Sequence, residues 1–119
     1  MPPDPGFVER VVEVLTPAGE ISQKAMFGGV GLWEAGDMFA LISSDTELYF
    51  KVDADTVDRY RQAGANQFHN MPYWSVPAGF FDDPNAFEDW VDEAIEIGHV
   101  TAATKREKKS STKKKKGSS

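Results

Sequence analysis

The 119-residue chain contains no cysteine, which excludes disulfide staples, thiolate metal sites and cysteine nucleophiles together. Histidine is nearly as scarce, with His69 and His99 the only two, so a catalytic base or a histidine-based metal centre has few places to sit. No apolar run approaches the roughly 18 residues that a spanning helix needs, and MPPDPGFVER lacks the basic-then-apolar pattern of a secretory leader. A cytoplasmic protein with no membrane contact is the expectation. Positive charge is sparse over residues 1–104, where Arg10, Lys24, Lys51, Arg59 and Arg61 stand against 18 acids for a net −13. Residues 105–119 reverse the sign to +7, with Glu107 their one acid. That stretch in turn lacks any aliphatic or aromatic side chain, so it has nothing to offset the entropy of ordering itself. The reading is one domain over 1–104 followed by a disordered, lysine-rich arm over 105–119.

Hydrophobic residues make up 40% of the chain, enough for a single core. Phe7, Val8, Val11, Val12 and Leu15 form the stripe of a helix over about 5–16, ended by Pro17 and Gly19. Short apolar runs then alternate with turn chemistry: AMFGGVGL, WEAGD, MFALI, SSDTE, LYFKV. They predict a three-stranded antiparallel meander. A second helix is expected over about 54–63, with Val57, Tyr60 and Ala63 facing inward, an Asp53 or Asp55 cap and Gly64 as a left-handed stop. FHNMPYWSVP predicts one or two short extended segments. Asp83 as cap and Pro84 announce a third helix with an inward stripe of Phe87, Trp90, Val91, Ala94 and Ile95, stopped at Gly98. The order α-β-β-β-α-β-β-α implies an α+β domain, an antiparallel sheet of about four or five strands packed with three helices.

The glycines of KAMFGGVGLW raise the question of a phosphate loop. Phosphate cradles need their glycines at a helix start, whereas Gly28, Gly29 and Gly31 lead into Trp33 and a hairpin turn. Glycine inside a strand marks a bulge or a close approach by a ring or another backbone. Aromatic residues of the same domain are the expected neighbours, with a partner chain as the alternative.

MFGGVGLW, MFALI, LYFKVD and YWSVP, in that order and spacing, resemble the N-terminal domain of the TfoX/Sxy family, bacterial regulators associated with natural competence. The resemblance covers about residues 7–98 and implies helices packed on one antiparallel sheet, with no catalytic residue to carry over. Two departures stand out. Only HN separates Phe68 from Met71, where family members commonly carry a longer stretch, and the lysine arm stands where full-length regulators have a C-terminal domain.

No serine sits in a nucleophile-elbow motif, and His99 reads as a surface residue at a fraying helix end. No catalytic, metal or cofactor site is expected. Alternation along the strands sets Phe39 and Leu41, and Tyr49 and Lys51, on faces opposite their neighbours. An open sheet face presenting Phe39, Leu41, Tyr49, Lys51 and Tyr73, with Phe27, Gly28, Gly29 and Trp74, is the candidate interface for a protein partner or a homodimer. The acidic body repels nucleic acid, so contact with DNA or RNA falls to the arm alone: Lys105, Arg106, Lys108, Lys109, Lys113, Lys114, Lys115 and Lys116. The chain therefore reads as a non-enzymatic regulatory or interaction module linked to transcription or competence. The alternative is a small-molecule or enzymatic site around His69, Tyr73 and Trp74.

Overall fold

A computed structural model describes residues 3–26 and 28–118, with side chains resolved as far as Arg106. Helix α1 spans Pro5–Leu15. The Asp4 carboxylate accepts from the Phe7 amide at 3.2 Å, and proline occupies the first helical turn, both favourable where four amide hydrogens lack helical partners. Its stripe buries Val8, Val11 and Leu15, and a short 3₁₀ turn, Thr16–Ala18, leads into the sheet.

Five strands follow in spatial order β1-β2-β3-β4-β5, identical to their order in the chain: β1 Ile21–Met26, β2 Gly29–Glu34, β3 Asp37–Ile42, β4 Leu48–Lys51 and β5 Tyr73–Ser75. Each pairs antiparallel with the next. The stretch expected as one strand, AMFGGVGL, is two, because the chain turns at Gly28, whose φ of 76° suits glycine. A further strand, ISQKAM, therefore pairs at the edge of the sheet. The segment shortened at His69–Asn70 keeps a hairpin. The Phe68 amide donates to the Tyr73 carbonyl at 2.8 Å, the Ser75 amide to the Asn66 carbonyl at 2.9 Å, and Gln67 bridges Trp74.

Helix α2 is Val57–Gln62, shorter than expected, because Asp53 accepts from the Asp55 and Thr56 amides and holds residues 53–56 as a turn. Gly64, at φ 79°, follows its end as expected, while Ala63 is exposed. A four-residue helix not foreseen, α3, covers Gly79–Asp82. Asp83 makes no side-chain cap to the 3₁₀ turn Pro84–Phe87.

Helix α4 runs Glu88–Ser118, so Gly98 is not a stop and His99 lies in mid-helix. Gly98 is instead where α4 presses on the sheet: a Cβ there would stand 2.6 Å from the Met38 carbonyl oxygen and 3.2 Å from Phe39 Cβ. The backbone of 105–118 is likewise helical where an unordered chain was expected. It continues α4 without a break, and lysine is itself a good helix former.

All four helices send buried side chains into one cluster: Val8, Val11 and Leu15 from α1, Tyr60 from α2, Phe80 from α3, and Val91 and Ala94 from α4. They meet Leu32, Ala40, Ile42, Leu48 and Phe50 of the sheet. Register explains the grouping, since cross-strand partners share a face: Leu32 pairs with Ala40, Ala40 with Phe50, and Phe50 with Trp74. Phe39 belongs to this face as well, fully buried with its ring 6.4 Å from that of Phe50. Strict alternation places it on the opposite side, but Leu32 opposes Ala40 while Trp33 opposes Met38, which leaves Phe39 as an extra residue. That bulge turns it inward.

Candidate functional site: the helix-free face of the sheet

The other face of the sheet is built in rows that the register fixes. Lys24 lies opposite Gly31, Gly31 opposite Leu41, Leu41 opposite Tyr49, and Tyr49 opposite Ser75. In flanking rows Lys51 pairs with Tyr73, and Ser22 with Trp33 and then Met38. Leu41 and Tyr73 are buried at 6% and 3% exposure yet stand outside the helix-packed cluster, and Met26, Trp33, Met38, Tyr49 and Lys51 are half-buried around them.

Gly31 answers the phosphate question. A Cβ there would lie 2.5 Å from Met26 Sδ and 2.7 Å from the Trp33 ring, so the missing side chain makes room for an indole and a thioether of the same domain. At Gly29 a Cβ would collide with the Ile42 carbonyl oxygen, a close approach of two backbones inside the sheet rather than an exposed contact. Phe27 lies outside the described residues.

The electrostatics of this face are unlike those of the rest. None of its strand positions carries Asp or Glu, although residues 1–104 hold 18 acids. The five cations of the body divide by face. Arg10 donates to the Phe81 carbonyl, Arg59 pairs with Glu93 at 3.2 Å over the Trp90 ring, and Arg61 pairs with Asp58. Lys24 and Lys51 are left to the helix-free face and form no ion pair among the described residues. Lys51 Nζ rests 5.4 Å from the centre of the Tyr73 ring. Desolvation, and secondarily the charge of Lys105, pull its pKa below the usual lysine range against the opposing charge of Asp37, so an anion brought to it would further favour its charged form. Burial raises the Tyr73 hydroxyl to about 12 and holds Tyr49 above its ordinary value, with Glu47 of the preceding loop adding to the latter. Both phenols are neutral hydrogen-bonding groups at neutral pH.

Of the expected interface, then, the structure groups Leu41, Tyr49, Lys51 and Tyr73, and separates Phe39 and Trp74. Trp74 sits on the helix side beneath Arg61, 5.5 Å from its ring centre, since adjacent strand residues point to opposite faces. The same alternation parts Tyr73 from Trp74, so these two do not converge on a site with His69, which is exposed in the hairpin turn. The cavities beside α1, α2 and β5 are lined by other residues. Ser43 and Ser75, both nearly buried, are engaged with the Glu47 and Asn66 amides. Lys105 and Arg106 are exposed on α4. The side chains of Lys108, Lys109, Lys113, Lys114, Lys115 and Lys116 lie outside the described residues. Sequence reasoning missed Trp33, Met38, Met26 and Lys24 as members of the face, although alternation along β2 carried the signal for Trp33.

The family model for the TfoX N-terminal domain matches residues 13–97. The chain belongs to the TfoX N-terminal domain family. A sequence comparison also finds the DNA transformation protein TfoX1 of Aliivibrio fischeri (strain ATCC 700601 / ES114), 27% identical over 108 residues, which is 84% of this chain and 51% of that protein. The chain thus spans about half the length of this curated relative. The TfoX match begins within α1 and ends in α4 at Ile97, so it contains the whole sheet and both of its faces, and stops before the basic arm. Among the described residues no helix is long and apolar enough to cross a membrane.

Proposed function

We propose that the chain is a non-enzymatic regulatory module of the competence type, which meets a partner protein through the helix-free face and touches nucleic acid through its basic arm without reading sequence. The observation that carries the protein-binding part is the composition of that face: apolar and aromatic, free of acids at its strand positions, and holding the two lysines of the body that lack ion pairs among the described residues. Such a surface suits a partner with an apolar patch and a carboxylate, the acid meeting Lys51 as it leaves water. A second copy of the chain is the poorer occupant, because two bodies of net −13 repel and a two-fold contact sets like lysines against each other. Family membership and the relative named for DNA transformation support the competence-related role. Ser43 and Ser75, the two nearly buried serines among the described residues, both accept from backbone amides, and neither bonds to a histidine there, which supports a role other than nucleophilic catalysis.

The double substitution Tyr49→Glu and Lys51→Glu tests the face. Transformation frequency in a host lacking its own copy is expected to fall at least about tenfold, the effect of losing 1.4 kcal/mol of binding, with the thermal melt little changed. Normal transformation with the doubly substituted, folded protein ends the assignment of this face.

The arm makes a separate prediction. Fluorescence anisotropy with a DNA duplex is expected to show affinity falling steeply with salt, the log–log slope reaching at most roughly −7 for eight neutralised phosphates. Removing residues 105–119 should abolish that binding, and equal binding by the shortened chain would move the contact onto the body.

A further inference from the structure

His99 projects from α4 onto the β2–β3 hairpin. Its Nδ1 lies 2.7 Å from Asp37 Oδ2 and its Nε2 lies 2.6 Å from Glu34 Oε1. A neutral imidazole carries one N–H, and so could satisfy only one of these carboxylates while setting a lone pair against the other. Both contacts together require the imidazolium, with each ring nitrogen donating. We propose that His99 is a proton-operated latch, fastening the second half of α4 to the hairpin when charged and releasing it when neutral. The proposal concerns how the helix is held and does not depend on what the arm or the open face binds.

Each member of the latch is placed by structure already described. Glu34 and Asp37 are paired across the last rung of β2 and β3, next to a tight turn in which Ala35 and Gly36 both have positive φ. Glu34 is further fixed by accepting from the Glu20 amide at 3.0 Å, so its oxygens are aimed before the helix arrives. Gly98, next in sequence to His99, lets the helix backbone come close enough for the ring to reach both carboxylates. About two turns further on, Arg106 stands 3.6 Å from the second oxygen of Asp37. Around the ring the charged neighbours are therefore Glu34 from β2, Asp37 from β3 and Arg106 from α4. Lys51 of β4 and Lys105 of α4 act on the same corner at longer range.

The proton linkage follows from this arrangement. The bonds to Asp37 and then Glu34 raise the His99 pKa above 6.5, despite some desolvation. A raised histidine contributes stability that is complete below its unfolded value and is lost as pH rises through the folded one. The Glu20 amide, followed by His99, lowers Glu34, and His99 lowers Asp37. Their contribution is present above the ordinary carboxylate values and is lost as pH falls through the lowered ones. The latch is closed between these limits and opens on the alkaline side.

Opening loosens α4 beyond its packed portion, since Val91 and Ala94 remain in the core cluster while the residues after His99 lose the stronger of their two ties to the hairpin, leaving Arg106 on Asp37. Lys105 and Arg106, at the root of the basic arm, are then held to the hairpin only by the exposed Arg106–Asp37 pair, a weak tether. Proton binding at one ring thus sets how the cationic end of the molecule is presented.

NMR on the full chain reads this directly. The His99 ring is expected to titrate with a midpoint above 6.5, and amide protection factors over residues 99–106 are expected to fall about tenfold between about pH 6 and about pH 9 as the charge-assisted bonds of the ring are lost. In His99→Lys, a cation across this range, the protection should be flat with pH. In His99→Gln it should be low throughout, and His69→Gln should behave as the unsubstituted chain. A His99 midpoint at or below 6.5, or protection over 99–106 that changes equally with pH in His99→Gln, overturns the proposal. A variant that fails to fold leaves the titration of the unsubstituted chain as the deciding measurement.

Discussion

Gly98→Val is expected to destabilise the domain by at least about 3 kcal/mol, read as a shift in the urea unfolding midpoint with the slope unchanged. The added Cβ meets the Met38 carbonyl oxygen at 2.6 Å, and that obstacle is backbone within a paired strand, so it cannot rotate away. The helix must lift from the sheet or the sheet must bend. Either movement loosens Phe39, whose Cβ would also lie only 3.2 Å from the new atom. Gly98→Ala places the same Cβ without the branches and should cost about 1–3 kcal/mol. An unfolding midpoint for the valine variant equal to that of the unsubstituted chain would show that α4 does not seat here.

Phe50→Ala should cost about 3–5 kcal/mol, a large part of the 5–15 kcal/mol that separates folded from unfolded domains. Phe50 is fully buried; it packs on Phe39 of β3 at 6.4 Å and joins the sheet to α3 through Phe80 at 5.8 Å, edge-to-face. Removing the ring opens a cavity with walls on three elements, and the close packing around it leaves little freedom to collapse. Tyr49→Ala, one residue earlier but on the helix-free face, should cost only about 1 kcal/mol. Thermal melts of the two variants therefore separate the faces, and equal losses would mean that the second face is packed as tightly as the first.

The faces themselves were legible in part. Alternation in LYFKV and in YWS is undisturbed, so Leu48 and Phe50 separate correctly from Tyr49 and Lys51. Phe39 defeats the same rule because an inserted residue shifts the phase by one, and nothing in MFALI announces it. The sequence of β1, ISQKAM, carries neither an apolar run nor a clean alternation. It lies at the edge, with four of its six residues exposed, where strand pairing places few demands on side-chain type, and Lys24 discourages further pairing. Helix α1 was readable since its stripe and the Pro17–Gly19 stop agree. Gly98 misled because glycine beyond a helical stripe more often closes a helix than lets it approach a sheet. The partners of His99 lie 62 and 65 residues away, and no local spacing encodes them. Grouping Trp74 with Tyr73 failed for a simpler reason, that neighbours on a strand cannot share a side.

The identity of spatial and chain order among the strands bears on how the molecule assembles. Each of β2, β3 and β4 can join its predecessor as it leaves the ribosome, with short loops to close and small entropic barriers, so the β1–β4 meander is expected to form early and quickly. The ring of Phe50 then waits for Phe80 of α3, and Phe39 waits until residues 88–98 have been synthesised. A chain halted before that point is the form of this protein most exposed to aggregation.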